Sequence, residues 1–277
     1  MKVAVIQMVS STSVSANLAQ ARELLHQAAL DGAELAVLPE YFCLMGQRDT
    51  DKLAIAEPFG QGPLQQFLSD SARAEGLWLV GGTIPLAAGG DIAATSSGRV
   101  FNASLAFSPD GTCIARYNKI HLFRFDNGTE RYDESAVLVA GSEPASFDLD
   151  SKDGHRWRIG MSVCYDLRFP ELYRAYADAG VHLLLAPSAF TYTTGQAHWE
   201  VLLRARAIEN LAFVAAAAQG GQHDNGRQTW GQAMLVDPWG QVLAQRAQQA
   251  GVVLAELDFE TLTACRSRLP ALAHRVL

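Results

Sequence analysis

The sequence predicts an α/β fold with strands buried between helices. Strand-length apolar runs alternate with segments of helical period, turn-centred hairpins break that alternation twice, and 49% of the 277 residues are hydrophobic against 18% charged. The alternation argues for sheets covered by helices, the hairpins for antiparallel strands mixed among others, and the composition for a folded chain with a sizeable core. No linker, repeat or low-complexity tract divides the chain, so residues 1–277 are expected to form one domain.

Lys2 to Met8 reads as a buried strand, and Asn17 to Ala29 as a helix with Leu18, Ala21, Leu24, Leu25 and Ala28 on one face. Glu34 to Leu38 is the next strand, followed by a helix over Leu64 to Glu75 and a strand over Leu77 to Ile84. Val100 to Phe107 and Thr112 to Tyr117 flank Ser-Pro-Asp-Gly, a turn sequence that joins them as a hairpin. Trp157 to Cys164 is a strand, and Pro170 at a first helical position, with Glu171 beside it, opens a helix through Ala179. Then come a strand over His182 to Ala186, a helix over His198 to Leu211 and a strand over Ala212 to Ala218. A second hairpin turns at Asp237-Pro238-Trp239-Gly240, and Val252 to Leu257 is the last strand. The segments Ala87 to Gly98 and Phe125 to Ser135 read as long loops, which are uncommon without a functional reason.

Charge narrows the partners. With 22 Lys+Arg against 29 Asp+Glu the net charge is -7, and no basic cluster offers itself to nucleic acid or an anionic membrane. The opening residues lack the features of a signal peptide and read as the first strand. The longest apolar stretch, Leu211 to Ala218, falls far short of the roughly 18 residues of a membrane span. Cys43, Cys113, Cys164 and Cys265 are widely spaced and form no CxxC pair, which suits a reduced, cytoplasmic compartment and supplies no zinc or disulfide framework.

Three segments place a reactive side chain at or just past the end of an apolar strand: Glu40 after ELAVLP, Lys119 after CIARYN and Cys164 after GMSV. Ligand clefts form at strand ends in α/β sheets. A thiol to attack, a carboxylate to move protons and a cation to hold negative charge make a nucleophilic set. Taken singly, each has a plainer reading, since a lone cysteine is usually a small core residue and charged side chains are usually exposed. A Cys–His arrangement is the competitor. Nothing sets a histidine beside Cys164, so His121 is read as bracing the site and His198 as capping or packing its helix. There is no HExxH, and the histidines do not gather at metal-ligand spacing.

LPEYF around Glu40, YNKIHLF around Lys119 and GMSVCYDLRFPELYR around Cys164 resemble the three signature blocks of the nitrilase superfamily of carbon–nitrogen hydrolases, over essentially the whole chain. The resemblance implies a four-layer αββα sandwich and a cofactor-free Glu-Lys-Cys triad. Cys164 would be the nucleophile that forms a thioester and Glu40 the general base. Lys119, with the backbone N–H of Tyr165, would hold the oxyanion. Glu134, in RYDES, matches the family's additional glutamate and is expected to orient Lys119 or the substrate amide. A thiolate needs a positive neighbour to lower its pKa, which Lys119 would supply, while the resting protonation of Cys164 depends on distances and stays open in the sequence.

The run from Pro187 to Asn210, then AAAAQGGQH and GQAMLVDPWG, resembles the branch of amidases acting on α-ketoglutaramyl substrates, deaminated glutathione amidases in particular. That likeness implies a small-molecule amide substrate, deaminated glutathione, cleaved to 2-oxoglutarate and cysteinylglycine. An ω-amidase acting on α-ketoglutaramate is the alternative, and a catalytically silent binding protein or a true nitrilase are more distant ones. Such substrates carry a carboxylate. Arg168 is the candidate for it, against an ion pair with Asp166 or Glu171, and Thr194 would add a hydroxyl contact. The loop from Phe125 to Tyr132 would line the exit of the leaving group. The family's usual dimer face, the helices after Cys164 and over His198 to Leu211, implies a homodimer; Tyr173, Tyr176 and Trp199 are aromatics suited to such an interface, though aromatics on helices are more often core.

Overall fold

Both faces of the first strand are apolar. In β1 (Lys2–Met8), Val3 and Val5 belong to one hydrophobic cluster and Ala4, Ile6 and Met8 to another. A strand buried on both sides needs a layer above and a layer below. In the computed structural model, which describes residues 1–89 and 98–276, those layers are a pair of helices and a second sheet. Of the expected loop from Ala87 to Gly98, residues 90–97 lie outside the described residues.

Among the described residues the first sheet has nine strands. β1 pairs in parallel with β2 (Leu35–Val37), which pairs with β3 (Trp78–Val80). The antiparallel strands β4 (Ile84–Ala87), β5 (Val100–Phe107) and β6 (Cys113–Asn118) extend that edge. Helices α1 (Val14–Leu30) and α2 (Pro63–Glu75) cover its outer face with Ala21, Leu25, Ala28, Leu64 and Leu68. The second sheet holds β9 (Ala145–Asp150), β10 (Arg156–Met161), β11 (Leu183–Leu185) and β12 (Phe213–Ala216), then β15 (Ala233–Val236) and β16 (Val242–Arg246). Trp157, Ile159 and Leu183 share a cluster with Val3, Val5 and Val37, which packs the sheets face to face. Helices α3 (Pro170–Asp178) and α4 (Tyr192–Asn210) lie outside, completing an αββα sandwich. Gly160 sets the α3 distance, because a Cβ there would stand 2.9 Å from the ring of Tyr176.

Several expected boundaries move. Leu77 to Ile84 is two strands, since the chain leaves β3 at Val80 and returns as β4. Trp157 to Cys164 stops pairing at Met161, which frees Cys164 from the sheet. The helix expected from His198 starts at Tyr192, where the Thr191 side chain accepts the N–H of Thr194. Ala212 to Ala218 reads as one strand because its residues are apolar without period. The chain instead crosses there, from β12 in the second sheet to β13 (Ala218–Gln222) beside β1 in the first. The loop from Phe125 to Ser135 contains a small hairpin, β7 (Arg124–Asp126) with β8 (Arg131–Asp133). β14 (Gln228–Trp230), which pairs β13, was not foreseen, and neither was β9. β17 (Gly251–Glu256), antiparallel to β1, closes the first sheet, and α5 (Phe259–Arg268) follows, capped by Asp258.

The aromatics offered for an interface are core: Tyr173, Tyr176 and Trp199 are buried. The exposed apolar residues of α4 are Val201 and Ile208, and Trp239 of the second hairpin turn is exposed as well. No helix among the described residues is long and apolar enough to cross a membrane.

Candidate active site

The charged groups arrive from strand ends, as the sequence suggested, and converge. Glu40 follows β2, Lys119 follows β6 directly, Cys164 stands just past β10, and Glu134 opens a short 3-10 turn after β8 (Glu134–Ala136). The Lys119 ammonium is buried and donates to Glu40 Oε1 at 3.0 Å and to Glu134 Oε1 and Oε2 at 2.9 and 2.8 Å. An ammonium removed from water must be paired, and here two carboxylates pair it. Burial pulls the Lys119 pKa down, but Glu134 and Glu40 more than offset it and hold the group well above its ordinary value. For Glu134 burial acts upward, and Lys119 leaves it below the usual carboxylate range.

Each carboxylate is oriented by further donors. Glu40 accepts from Asn102 Nδ2 at 2.8 Å and from the Ala189 N–H at 2.9 Å. Glu134 accepts from the Tyr41 hydroxyl at 2.8 Å and the Phe123 N–H at 2.7 Å, so it is no solvated loop acid.

Cys164 has φ 50°, the left-handed region that costs an ordinary residue about 1–2 kcal/mol. Three contacts hold it there. Its N–H donates to Pro187 O at 3.1 Å. Buried Asp166 accepts from the Val163 N–H at 2.9 Å, the Tyr117 hydroxyl at 2.7 Å and the His121 N–H at 3.0 Å, with His121 Nδ1 at 2.7 Å. Arg206, also buried, donates twice to Leu167 O, at 3.1 and 2.8 Å. The Tyr165 N–H stands in the first turn of the 3-10 segment Cys164–Arg168, where a helix leaves its donors without internal acceptors.

The surroundings weigh against a resting thiolate at Cys164. Burial and then the Glu40 charge push the Cys164 pKa well above its ordinary value, and the opposing pull of Lys119 is smaller. The reason is charge balance: one ammonium already faces two carboxylates, and a thiolate would add another negative charge. Cys164 rests as a thiol, with its base beside it.

Two hollows meet at Cys164. The larger, an open cleft of about 570 Å³, has Glu40, Glu134, Tyr132, Lys52 and Arg227 among its lining. The smaller, about 210 Å³, is bounded by Tyr165, Arg168, Phe190 and Thr194. Arg168 has no ion-pair partner among the described residues, and neither Asp166 nor Glu171 takes it. Its guanidinium lies 5.7 and 5.3 Å from the ring centroids of Tyr165 and Phe190, with Nη1 3.1 Å from His198 Nδ1. His198 therefore sits within α4 against Arg168 rather than at a helix start. His121 stacks on Phe169 with 3.6 Å between centroids, a bracing role. Thr194 hydrogen-bonds Thr191 through their hydroxyls at 2.8 Å at the edge of the smaller hollow. Of the expected exit loop, Tyr132 lines the larger cleft, while Phe125 stacks on Phe123.

Sequence reasoning missed Asn102, Tyr41, Asp166 as an acceptor hub, and Arg206. A polar Asn inside the apolar run VFNASLAF was the one available signal, because a buried polar side chain must have a partner.

The carbon-nitrogen hydrolase family matches residues 2–267. The chain is 39% identical over 277 residues to a deaminated glutathione amidase of Synechocystis, covering 99% of this chain and 97% of that protein. It is 35% identical over 276 residues to the omega-amidase NIT2 of Homo sapiens, with 99% and 94% covered. Among solved structures, the C. elegans NitFhit protein superposes with a TM-score of 0.85 at 36% identity. That match covers 99% of this chain and 65% of the NitFhit chain.

Proposed function

On the premise that this chain belongs to the carbon–nitrogen hydrolases and hydrolyses amide bonds, we propose that it cleaves deaminated glutathione to 2-oxoglutarate and cysteinylglycine. The observation that carries the chemistry is the Glu40–Lys119–Glu134 cluster, closed at 2.8–3.0 Å beside a neutral, strained Cys164. Glu40 takes the thiol proton as sulfur attacks the amide carbonyl, so no standing thiolate is required. The new oxyanion is held by the Lys119 ammonium and the Tyr165 N–H, and one such donor is worth roughly 3 kcal/mol of barrier. Protonated Glu40 then gives its proton to the departing amine as the C–N bond breaks, leaving a thioester. A water that loses its proton to Glu40 adds to the thioester carbonyl, the C–S bond breaks, Glu40 returns the proton to the Cys164 sulfur, and the acid leaves. Glu134 keeps Lys119 aimed throughout.

The smaller hollow suits the acyl side, with Arg168 and Thr194 for the 2-oxo acid carboxylate, and the larger suits the leaving group. Side-by-side turnover of deaminated glutathione and α-ketoglutaramate, following 2-oxoglutarate, tests the reading with Cys164→Ala as control. Preference for the small amide would make the protein an ω-amidase instead. Turnover that survives in Cys164→Ala would remove the thioester route. We further expect a cytoplasmic homodimer that buries Val201, Ile208 and Trp239. A monomeric mass in sedimentation at micromolar concentration rejects that assembly.

A further inference from the structure

The chemistry above leaves the outer wall of the larger cleft unused, and there two cations, Lys52 and Arg227, stand beside Asp49 and Asp133. Lys52, on the 3-10 turn Asp49–Ile55, holds its ammonium 4.6 Å from the ring centroid of Tyr41 and has no ion-pair partner among the described residues. Arg227 reaches the same opening from the β13–β14 turn. Its guanidinium lies 5.1 Å from the Tyr132 ring centroid, and Nη1 is 3.5 Å from Asp49 Oδ1. Lys52, Arg227 and Asp49 also border a shallower depression beside the cleft. Asp49 pairs with Arg227 and Asp133 lies 3.9 Å from Arg124, so the Lys52 ammonium has no carboxylate within ion-pair distance among the described residues and can take one more anion.

We propose that Lys52 and Arg227 bind a carboxylate on the departing amine, so that the cleft selects amides whose leaving group is a short anionic peptide over primary amides. The inference rests on the amidase reading above. It adds a second anchor, across Cys164 from Arg168. The Tyr41 ring beneath Lys52 carries the hydroxyl that donates to Glu134, so the anchor stands one aromatic ring from the reaction centre. An extended two-residue leaving group spans about 7 Å and carries its terminal carboxylate away from the scissile nitrogen along the cleft that Cys164, Lys52 and Arg227 line together. A planar guanidinium beside an ammonium suits a carboxylate, and the aromatic floors under both cations hold them in place before it arrives.

The test is a substrate pair on the intact enzyme: the α-ketoglutaramyl amide of glycylglycine against that of glycylglycinamide, which differ only in the terminal charge. The expected wild-type kcat/KM favours the acid by about tenfold, carried by KM, a modest factor for one charge-assisted contact. Arg227→Gln and Lys52→Met are each expected to narrow that ratio towards one, and added salt to narrow it in the wild type. A wild-type ratio near one overturns the inference alone. So does a tenfold ratio that persists in both variants. Turnover of α-ketoglutaramate with both dipeptide amides left intact is the different outcome that overturns the proposed function. The wild-type substrate pair decides even where a variant fails to fold.

Discussion

Replacing Glu134 with glutamine should make Cys164 more reactive and the enzyme slower. Glu134 accepts four hydrogen bonds, two from Lys119, one from Tyr41 and one from the Phe123 N–H, all at 2.7–2.9 Å. A glutamine keeps one accepting oxygen and turns an NH₂ towards groups that are themselves donors, so about half of these bonds are lost. Lys119 keeps Glu40 as a partner, and the expected loss of stability is therefore roughly 2–4 kcal/mol, below that of an orphaned buried charge. The same change removes one of the carboxylates that raise the Cys164 pKa. Relief of that charge raises the thiolate fraction, so alkylation should quicken at a fixed pH below the thiol's titration. Turnover should fall by about a hundredfold, because an unaimed ammonium is a poor oxyanion donor. Iodoacetamide labelling of Cys164 against pH, read by peptide mapping beside amide turnover, measures both signs. A wild-type labelling profile already complete at neutral pH would refute the charge-balance argument, as would a Glu134→Gln variant that labels more slowly.

Further tests reach the frame around the site. Gly160→Ala drives a Cβ to 2.9 Å from the Tyr176 ring and should cost about 1–3 kcal/mol in urea unfolding, since α3 cannot retreat without opening the core. Arg206→Met removes both donors to Leu167 O, and kcat should fall with KM little changed if its role is to hold the Cys164 turn. Burial, then Arg266 and Arg158, pull His182 down to about 4, and its Nδ1 accepts the Arg158 N–H at 3.0 Å, which protonation would break. The unfolded chain therefore binds the extra proton first. Stability from this group is full above about 6.5 and declines as pH falls towards 4, by about 1–2 kcal/mol after allowance for partial exposure. His182→Asn should flatten that stretch of a stability-against-pH profile.

What the sequence made legible follows from how local each signal is. The end-of-strand positions of Glu40, Lys119 and Cys164 were readable because apolar runs mark strands and the reactive residues follow them. The run Ala212 to Ala218 concealed a crossing between sheets, since small apolar side chains fit both surroundings and carry no period to separate them. Resting protonation of Cys164 was illegible for another reason. Lys119 alone argues for a thiolate, and only the distances to Glu40 and Glu134 reveal that its charge is already spent. Asp166 was readable only as a partner for Arg168, because its three real partners lie on segments distant in sequence or hidden in the backbone.

The crossing at Ala217 also explains why the sandwich itself is part of the site. Glu40 hangs from the first sheet and Cys164 from the second, so proton transfer between them depends on the registry of the sheets. That registry is fixed beside the reacting groups. The Ser188 N–H donates to Ala217 O and the Gln219 N–H to Ser188 O, both at 2.9 Å, and the next residue, Ala189, gives its N–H to Glu40. Gln219 adds a side-chain bond to the Glu40 carbonyl at 3.1 Å and one to Ser10 Oγ at 2.8 Å. Replacing Gln219 with alanine removes the side-chain bonds that seat the Glu40 backbone on the first sheet and leaves the backbone ladder between the sheets. If the seating of Glu40 on the first sheet sets the distance from base to thiol, kcat should fall by about tenfold or more, with global stability down by only about 1–3 kcal/mol. Substrate KM should stay near its original value, because neither hollow is lined by Gln219. A variant that loses stability and keeps its kcat would separate the fold from the chemistry and refute the coupling.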